Sequence, residues 1–594
     1  MKKLRDAWMV GVALMCAASS AGCEGRPRTN ARTEAPKRSG PAVSVIDLSA
    51  GVPEQETQSL FSLAPKGNTF DELLDAMAKL EKDKDSVAVL VRFGSAQIGG
   101  ARAQEIATRM ARLREKRPVH CHADGLTNTT YMLASRACTK IVVSPAGEVE
   151  AIGLAAQIVY LRKLLVEELH FDIDMLQVGK FKGAEEPLTR DGPSDEARAS
   201  LEGTLKELRA AWLETATQGR ETANLADLLE DGPYSPPTAK AKGLIDEVGY
   251  ADDTARALRD SVNAKREQVV FGPGAGDKPE ELDDLVRALA GDSSSSGPIA
   301  LVRATGSISM TGSSGVLGGK SGIAARDFNK TIAKLEKDDD VKAVVLRIDS
   351  PGGSALASDL MWHQLMRLRA KKPLVVSVGE MAASGGYYMA CTANAIFAQP
   401  MSIVGSIGVV GGKIGFGGAL ERWGVHTETF PAAVGKPGAG ARAAYESPMV
   451  PWDDATRGRV LESMTGVYDL FLARVAEGRG TSVDKVAPSA EGRIFGGREA
   501  KARGLIDEVG GLTEAIARAK SLANQPDGAR VVVIGSKPTF LDALDPTAAE
   551  GRAASPARIL ERVASDVVPY ASSLGPLSEG ERTVCALPFS LVVR

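Results

Sequence analysis

Phe70, Leu73, Leu74, Met77 and Leu80 recur at the three-and-four spacing of one helix face. The run Val87 to Val91 that follows is short, continuous and β-branched, which suits a parallel strand buried on both faces. Ile106, Met110 and Leu113 mark a second helix, and another apolar run begins after Pro118. Helix and strand therefore alternate in βαβ order. That order predicts an α/β domain with a largely parallel sheet and right-handed crossovers.

The pattern then returns. Ala78-Lys79-Leu80-Glu81-Lys82-Asp83 recurs as Ala333-Lys334-Leu335-Glu336-Lys337-Asp338, and the same spacing aligns Arg92 with Arg347, Pro118 with Pro373 and Pro145 with Pro400. Met361, Leu365 and Leu368 repeat the second helix. Ala239 to Gly249 returns, slightly further displaced, as Ala500 to Gly510. A period this long means two duplicated domains rather than a solenoid. The expected organisation is an export segment at 1–22, a tether at 23–41, a first α/β domain at 42–290 and a linker at 291–297. A second α/β domain at 298–524 and a C-terminal extension at 525–594 complete it.

Where the copies differ, candidate chemistry appears. Strand Ala343 to Ile348 leads into Asp349-Ser350-Pro351-Gly352-Gly353-Ser354, while the first copy has Gly94-Ser95-Ala96-Gln97-Ile98-Gly99. A Pro-Gly-Gly turn at the carboxyl end of a parallel strand can aim backbone N–H groups into the crevice where such sheets bind ligands, as an oxyanion hole requires. The next strand, Leu374 to Val378, ends in Gly379-Glu380-Met381-Ala382-Ala383-Ser384-Gly385-Gly386. A serine among residues this small, between strand and helix, resembles a nucleophile elbow; its plain alternative is a helix cap. The first copy has Thr129 at this position, without glycines behind it.

A nucleophilic serine needs a base. His120, His122, His170, His363 and His426 stand in no spacing that suggests a triad. A lysine serves if burial lowers its pKa from about 10.4 toward 7–8. Lys182 lies in Gly179-Lys180-Phe181-Lys182-Gly183-Ala184-Glu185-Glu186-Pro187 of the first copy, so the candidate base and nucleophile fall in opposite copies.

Composition narrows the function classes. The 72 basic and 75 acidic residues nearly cancel, which provides no basic face for nucleic acid. Glycine, at 62 of 594 against a usual 7% or so, is in excess, and part of that excess surrounds Ser384. No metal-like or Cys-x-x-Cys spacing occurs among the six cysteines, so no metal or cofactor is expected. Cys121 and Cys391 fall in apolar patterns and read as buried thiols, with no disulfide framework. The start is basic, Trp8 to Ala18 is apolar but shorter than a membrane span, and Ser20-Ala21-Gly22-Cys23 follows, which reads as a secretory signal. The small residues before Cys23 resemble a bacterial lipobox, in which that cysteine carries lipid; ordinary cleavage after Ala21 is the alternative.

Met381-Ala382-Ala383-Ser384-Gly385-Gly386-Tyr387, Asp349-Ser350-Pro351-Gly352-Gly353, Gly405-Ser406-Ile407-Gly408 and Phe181-Lys182-Gly183-Ala184-Glu185-Glu186-Pro187 together resemble the signal peptide peptidase A (protease IV) family, peptidase family S49, in its long duplicated form. The resemblance implies two tandem ClpP/crotonase-like spiral domains and a Ser/Lys dyad that hydrolyses peptide bonds. Ser384 would be the nucleophile, Lys182 the base, Gly353 and Gly385 the oxyanion donors, and Ser406 the residue that orients the lysine. It further implies hydrophobic or unfolded peptides as substrates, cleaved signal peptides among them, a homotetramer, and a bacterial envelope location, anchored to the membrane and facing the periplasm. Gly183 departs from the serine frequent after the family's lysine, and the lipobox-like start replaces the usual uncleaved anchor. Two other classes compete: a crotonase-type thioester enzyme, which would not need the Ser384 and Lys182 pair, and a non-catalytic peptide-binding scaffold.

Overall fold

Helix Phe70–Leu80 buries Phe70, Leu73, Leu74, Met77 and Leu80, the face its spacing predicts. Its N-terminus is closed by Thr69, whose backbone N–H donates to Glu72 Oε2 at 3.0 Å. Strand Ser86–Gly94, helix Gly100–Arg114 and strand Val119–Ala123 follow. The second copy repeats them as helix Ala325–Lys337, strand Ala343–Ser350, helix Ala355–Arg369 and strand Leu374–Ala383. The computed structural model describes residues 40–55, 69–220, 222–275, 297–311, 313–314, 320–432, 437–534 and 583–586. The export segment, Cys23, and most of the tether and linker lie outside the described residues.

The duplication is visible strand by strand. The first sheet runs Glu247–Val248, Lys140–Val143, Val119–Ala123, Ser86–Gly94, Ala42–Asp47, Arg266–Phe271, with every neighbour parallel. The second repeats that order in Glu508–Val509, Ala395–Ala398, Leu374–Ala383, Ala343–Ser350, Ile299–Thr305 and Val531–Ile534, all parallel, and adds Ile403–Gly405 parallel to the end of Leu374–Ala383 and Ile494–Gly496 antiparallel beyond it. Two tandem α/β units with largely parallel sheets are thus the architecture. The expected boundary at residue 524 leaves Val531–Ile534, the last strand of this sheet, on the extension side.

The two units share structure. Ile299, Leu301, Val345 and Val375 of the second pack in one apolar core with Ile46, Val89, Val91 and Ile106 of the first. A third, mixed sheet crosses between them in the order Ile323–Ala324, Ile308–Ser309, Gly352–Ser354, Thr583–Ala586, Val409–Gly415, Asp172–Val178. Charges buried at the junction are paired, as burial demands. Arg347, 1% exposed, donates to Glu54 Oε1 at 2.8 Å and Glu105 Oε2 at 3.2 Å. Glu380 accepts from the backbone N–H groups of Ala101 and Arg102, both at 3.0 Å, at the N-terminus of helix Gly100–Arg114.

One expectation is corrected. Cys121 and Cys138 form a disulfide, with Cα atoms 5.9 Å apart; Cys121 is not a free thiol. Strand Val119–Ala123 and the end of helix Asn128–Ala137 bring the two sulfurs together, a meeting that apolar periodicity alone does not encode. Cys391 is free and buried, as expected. Among the described residues no helix is long and apolar enough to cross a membrane.

Candidate active site

Strand Leu374–Ala383 is twice as long as its first-copy counterpart, and the added length builds the serine turn. Met381, Ala382 and Ala383 pair with Ile403, Val404 and Gly405. That pairing fixes the chain where it turns into helix Gly385–Ala390, and Ser384 sits at the turn with φ 53° and ψ −114°. Such a conformation costs a serine about 1–3 kcal/mol and persists only where its surroundings over-determine it. Here the Ser384 N–H donates to Gly405 O at 2.7 Å, and Ser384 O accepts from Tyr388 N at 2.8 Å. The side chain is fully buried.

The small residues after Ser384 are required by close packing. A Cβ on Gly385 would come 2.5 Å from Ser358 Oγ and 3.2 Å from Gly352 Cα, and one on Gly386 would come 2.7 Å from Ser350 O. The serine turn and the Pro-Gly-Gly turn therefore lie against each other, as their places at the ends of adjacent parallel strands imply. Gly353 has φ 152°, and strand Gly352–Ser354 that contains it pairs with Ile308 on one side and Thr583–Ala586 on the other.

Lys182 reaches the serine from the first unit. Strand Asp172–Val178 pairs antiparallel with Val409–Gly415 of the second unit, which delivers the following turn to the junction. Phe181 N donates to Glu491 O at 2.8 Å, and Lys182 N to Gly179 O at 3.0 Å. Lys182 Nζ lies 2.7 Å from Ser384 Oγ, 2.9 Å from Ser406 O and 3.0 Å from Ser406 Oγ. All three residues are fully buried. Lys180 differs: its side chain is 57% exposed and pairs with Glu491 at 3.6 Å. None of the five histidines hydrogen-bonds to Ser384; His122 contacts Gly249 O and Ser144 Oγ instead.

Sequence reasoning brings Ser384, Lys182, Ser406, Gly353 and Gly385 to one place, and the structure adds supports it missed. Gly492 of the second unit covers the lysine so closely that a Cβ there would come 2.5 Å from Lys182 Cα. Nothing in the local sequence marks that glycine. Gln177, with its amide turned to donate, reaches Glu185 Oε1 at 2.8 Å and Lys182 O at 3.1 Å. Burial pushes the Glu185 carboxyl up to about 7, with Glu186 adding to the rise and Arg190 and Lys182 opposing it. Asp349, before the Pro-Gly-Gly turn, pairs with Arg102 of the first unit at 3.1 Å. It too is pushed up to about 7, by burial first and then by Glu380 and Glu54, against Arg102 and Arg347.

The chain is similar in sequence to known proteins. Residues 111–265 and 366–526, over half of the chain, match the model of the family described as Peptidase family S49. Serine protease SPPA, chloroplastic, of Arabidopsis thaliana is 29% identical over 81% of this chain and 69% of its own length. Protease 4 of Salmonella typhi is 28% identical over 87% of this chain and 81% of its own. Among solved structures, ClpP1 from Listeria monocytogenes aligns over 38% of this chain and 94% of its own at 16% identity, with a TM-score of 0.21. The two stretches matched by the family model fall one in each repeated unit, and the chain belongs to peptidase family S49.

Proposed function

We propose that the chain is a serine endopeptidase in which Ser384 attacks the scissile carbonyl and Lys182 is the general base. The observation that carries this reading is the 2.7 Å approach of Lys182 Nζ to Ser384 Oγ, two buried side chains supplied by opposite units. A lysine beside a serine on a surface would be a solvated cation, but burial disfavours the ammonium form. A neutral amine has two N–H bonds and one lone pair. With Ser406 O and Ser406 Oγ accepting the two N–H groups, the lone pair faces the Ser384 hydroxyl.

The steps follow. Lys182 Nζ takes the hydroxyl proton as the Oγ–C bond forms, and the backbone N–H groups of Gly353 and Gly385 receive the negative charge on the carbonyl oxygen. The ammonium then returns its proton to the amine as the C–N bond breaks. Water, deprotonated by the same lysine, releases the acyl group and restores the serine. Ser406 keeps the amine aimed and is a positioning residue.

The substrates in this reading are hydrophobic or unfolded peptides, including cleaved signal peptides, taken at a membrane surface. The relatives' names support it: alongside Protease 4 stands a putative signal peptide peptidase SppA of Enterococcus faecium, 30% identical over 32% of this chain. The Cys121–Cys138 disulfide fits an oxidising compartment; in this reading the first 22 residues direct export, Cys23 carries lipid, and the chain assembles as a homotetramer in the envelope.

Cleavage of an apolar fluorogenic peptide by Ser384→Ala, Lys182→Ala and Lys180→Ala tests the dyad. The first two are expected to lose at least about 10³-fold in kcat/KM, and the third to retain it. Activity surviving in Lys182→Ala would remove the lysine from the mechanism.

A further inference from the structure

The third sheet contains a place for one extended strand beside the dyad. Gly352–Ser354, which carries the candidate oxyanion glycine, and Val409–Gly415, which begins three residues after Ser406, do not pair with each other among the described residues. One strand separates them. It is Thr583–Ala586, from the far end of the chain, antiparallel to both: Gly353 pairs with Cys585 and Ser354 with Val584 on one side, and Val410 with Val584 on the other. Helix Gly385–Ala390, which starts at the serine, also packs against it.

Two edges that offer backbone N–H and C=O groups to an incoming strand recognise a peptide through its main chain, whatever its sequence, and pockets between them select side chains. A peptidase acting on varied peptides needs that arrangement. The slot has such a pocket. Val584 is completely buried and packs with Met175, Ala184 and Val410, with Ile173 alongside. Ala184 lies two residues beyond Lys182, and Val410 stands on the strand that follows Ser406. The pocket is apolar and adjoins the reacting groups.

We propose that the tail strand Thr583–Ala586 occupies the position of a peptide substrate, with Val584 in the subsite formed by Met175, Ala184 and Val410, so that the chain's own C-terminal segment competes with substrate. This rests on the dyad reading, because the slot is a substrate slot only if Ser384 and Lys182 are the reacting pair. Its consequences are separable from that reading. Displacing the tail lowers KM without changing the chemical step, and an aliphatic residue is preferred in the substrate at the register of Val584.

The experiment uses the full chain. Val584→Asp puts a carboxylate into the apolar pocket and releases the tail; KM for an apolar peptide is expected to fall at least threefold with kcat unchanged. A synthetic peptide spanning residues 580 to 588 is expected to inhibit that variant competitively, and the same peptide with Asp for Val584 is expected not to. Binding of the labelled peptide to the Ser384→Ala, Val584→Asp double variant, read by fluorescence anisotropy, needs no catalysis. Unchanged KM in Val584→Asp, or no binding by the peptide, overturns the proposal while leaving the dyad intact. Loss of activity with a lowered melting temperature also overturns it, because the strand would then be a wall of the fold. If the peptide binds but Ser384→Ala cleaves as well as wild type, the dyad reading fails instead.

Discussion

The two units share a strand order and differ at one turn. In the first, strand Val119–Ala123 stops after five residues, and Thr127 caps helix Asn128–Ala137 through the N–H of Thr130. Thr129 is inside that helix and donates to Ile98 O at 2.6 Å. In the second, the strand runs on to Ala383, gains a partner in Ile403–Gly405, and holds Ser384 at a positive φ with its hydroxyl against Lys182. A few residues of extra strand convert a relaxed helix cap into a strained elbow. The first unit carries the lysine and the second the serine, so neither holds the proposed pair alone.

The largest effect expected from this contrast is on catalysis. Thr129→Ala removes a hydroxyl at the position equivalent to the serine, and kcat/KM should stay within about twofold of wild type. Ser384→Thr keeps a hydroxyl but asks a β-branched residue to adopt φ 53°. That variant should lose about 10²-fold or more, because its added methyl enters a fully buried turn. Comparable losses in both variants would mean that the first unit's turn takes part in the reaction.

Stability should separate the units next. Arg92 and Arg347 are equivalent by sequence, yet Arg92 is half-buried and meets Glu267 at 3.3 Å, whereas Arg347 is enclosed with Glu54 and Glu105. Burial alone would raise the Glu54 carboxyl, but Arg347 and Arg102 outweigh it and hold the group below the usual range. Arg347→Met leaves buried Glu105 without its cation and Glu54 with Arg102 alone, and should destabilise by about 3–5 kcal/mol. Arg92→Met should cost at most about 1 kcal/mol. Urea unfolding of both variants checks the difference, and equal costs would place the two arginines in equivalent surroundings.

Much of this was legible in advance, for physical reasons that differ by residue. The helix face of Phe70 to Leu80 and the buried strands follow from periodicity, which burial enforces directly. Ser384 and Lys182 could be picked out because the duplication supplies an internal control: each sits where its counterpart copy has lost the feature. Gly492 could not, since its requirement comes from Lys182, more than three hundred residues away, packing onto its α-carbon. The Cys121–Cys138 pair and the Arg347 network were hidden for the same reason. Their partners are set by which elements the fold brings together, and no local pattern records that.

Gly492 also yields an intermediate effect. Gly492→Ala places a methyl against the backbone of Lys182, at a φ of 87° that disfavours any side chain. The lysine must shift. A loss of about 10- to 100-fold in kcat is expected from a misplaced base, with KM little changed. The first-unit disulfide should remain intact by thiol titration, because the disturbance is confined to the junction. A wild-type kcat would show that the glycine has no part in holding the lysine.

The smallest effect concerns pH at the same junction. Asp349 titrates near 3.8 when unfolded and is pushed up to about 7 in the fold. The folded chain therefore holds that proton more tightly than the unfolded chain does. The resulting stabilisation is complete below about pH 4 and is lost as pH rises through about 7, with a slope of at most about 1.4 kcal/mol per unit. Asp349→Asn cannot titrate and lacks this proton-linked stabilisation, so its melting temperature should fall behind wild type in acid and lie closest to or above it at alkaline pH. Melting curves of both chains from pH 5 to pH 8 measure this, with an expected change in their difference of about one degree per pH unit. A difference that stays constant with pH would mean that Asp349 is already ionised throughout and that Arg102 dominates its surroundings. The turn bearing Gly353 would then be tied to the first unit by a permanent ion pair rather than by one that forms as the pH rises.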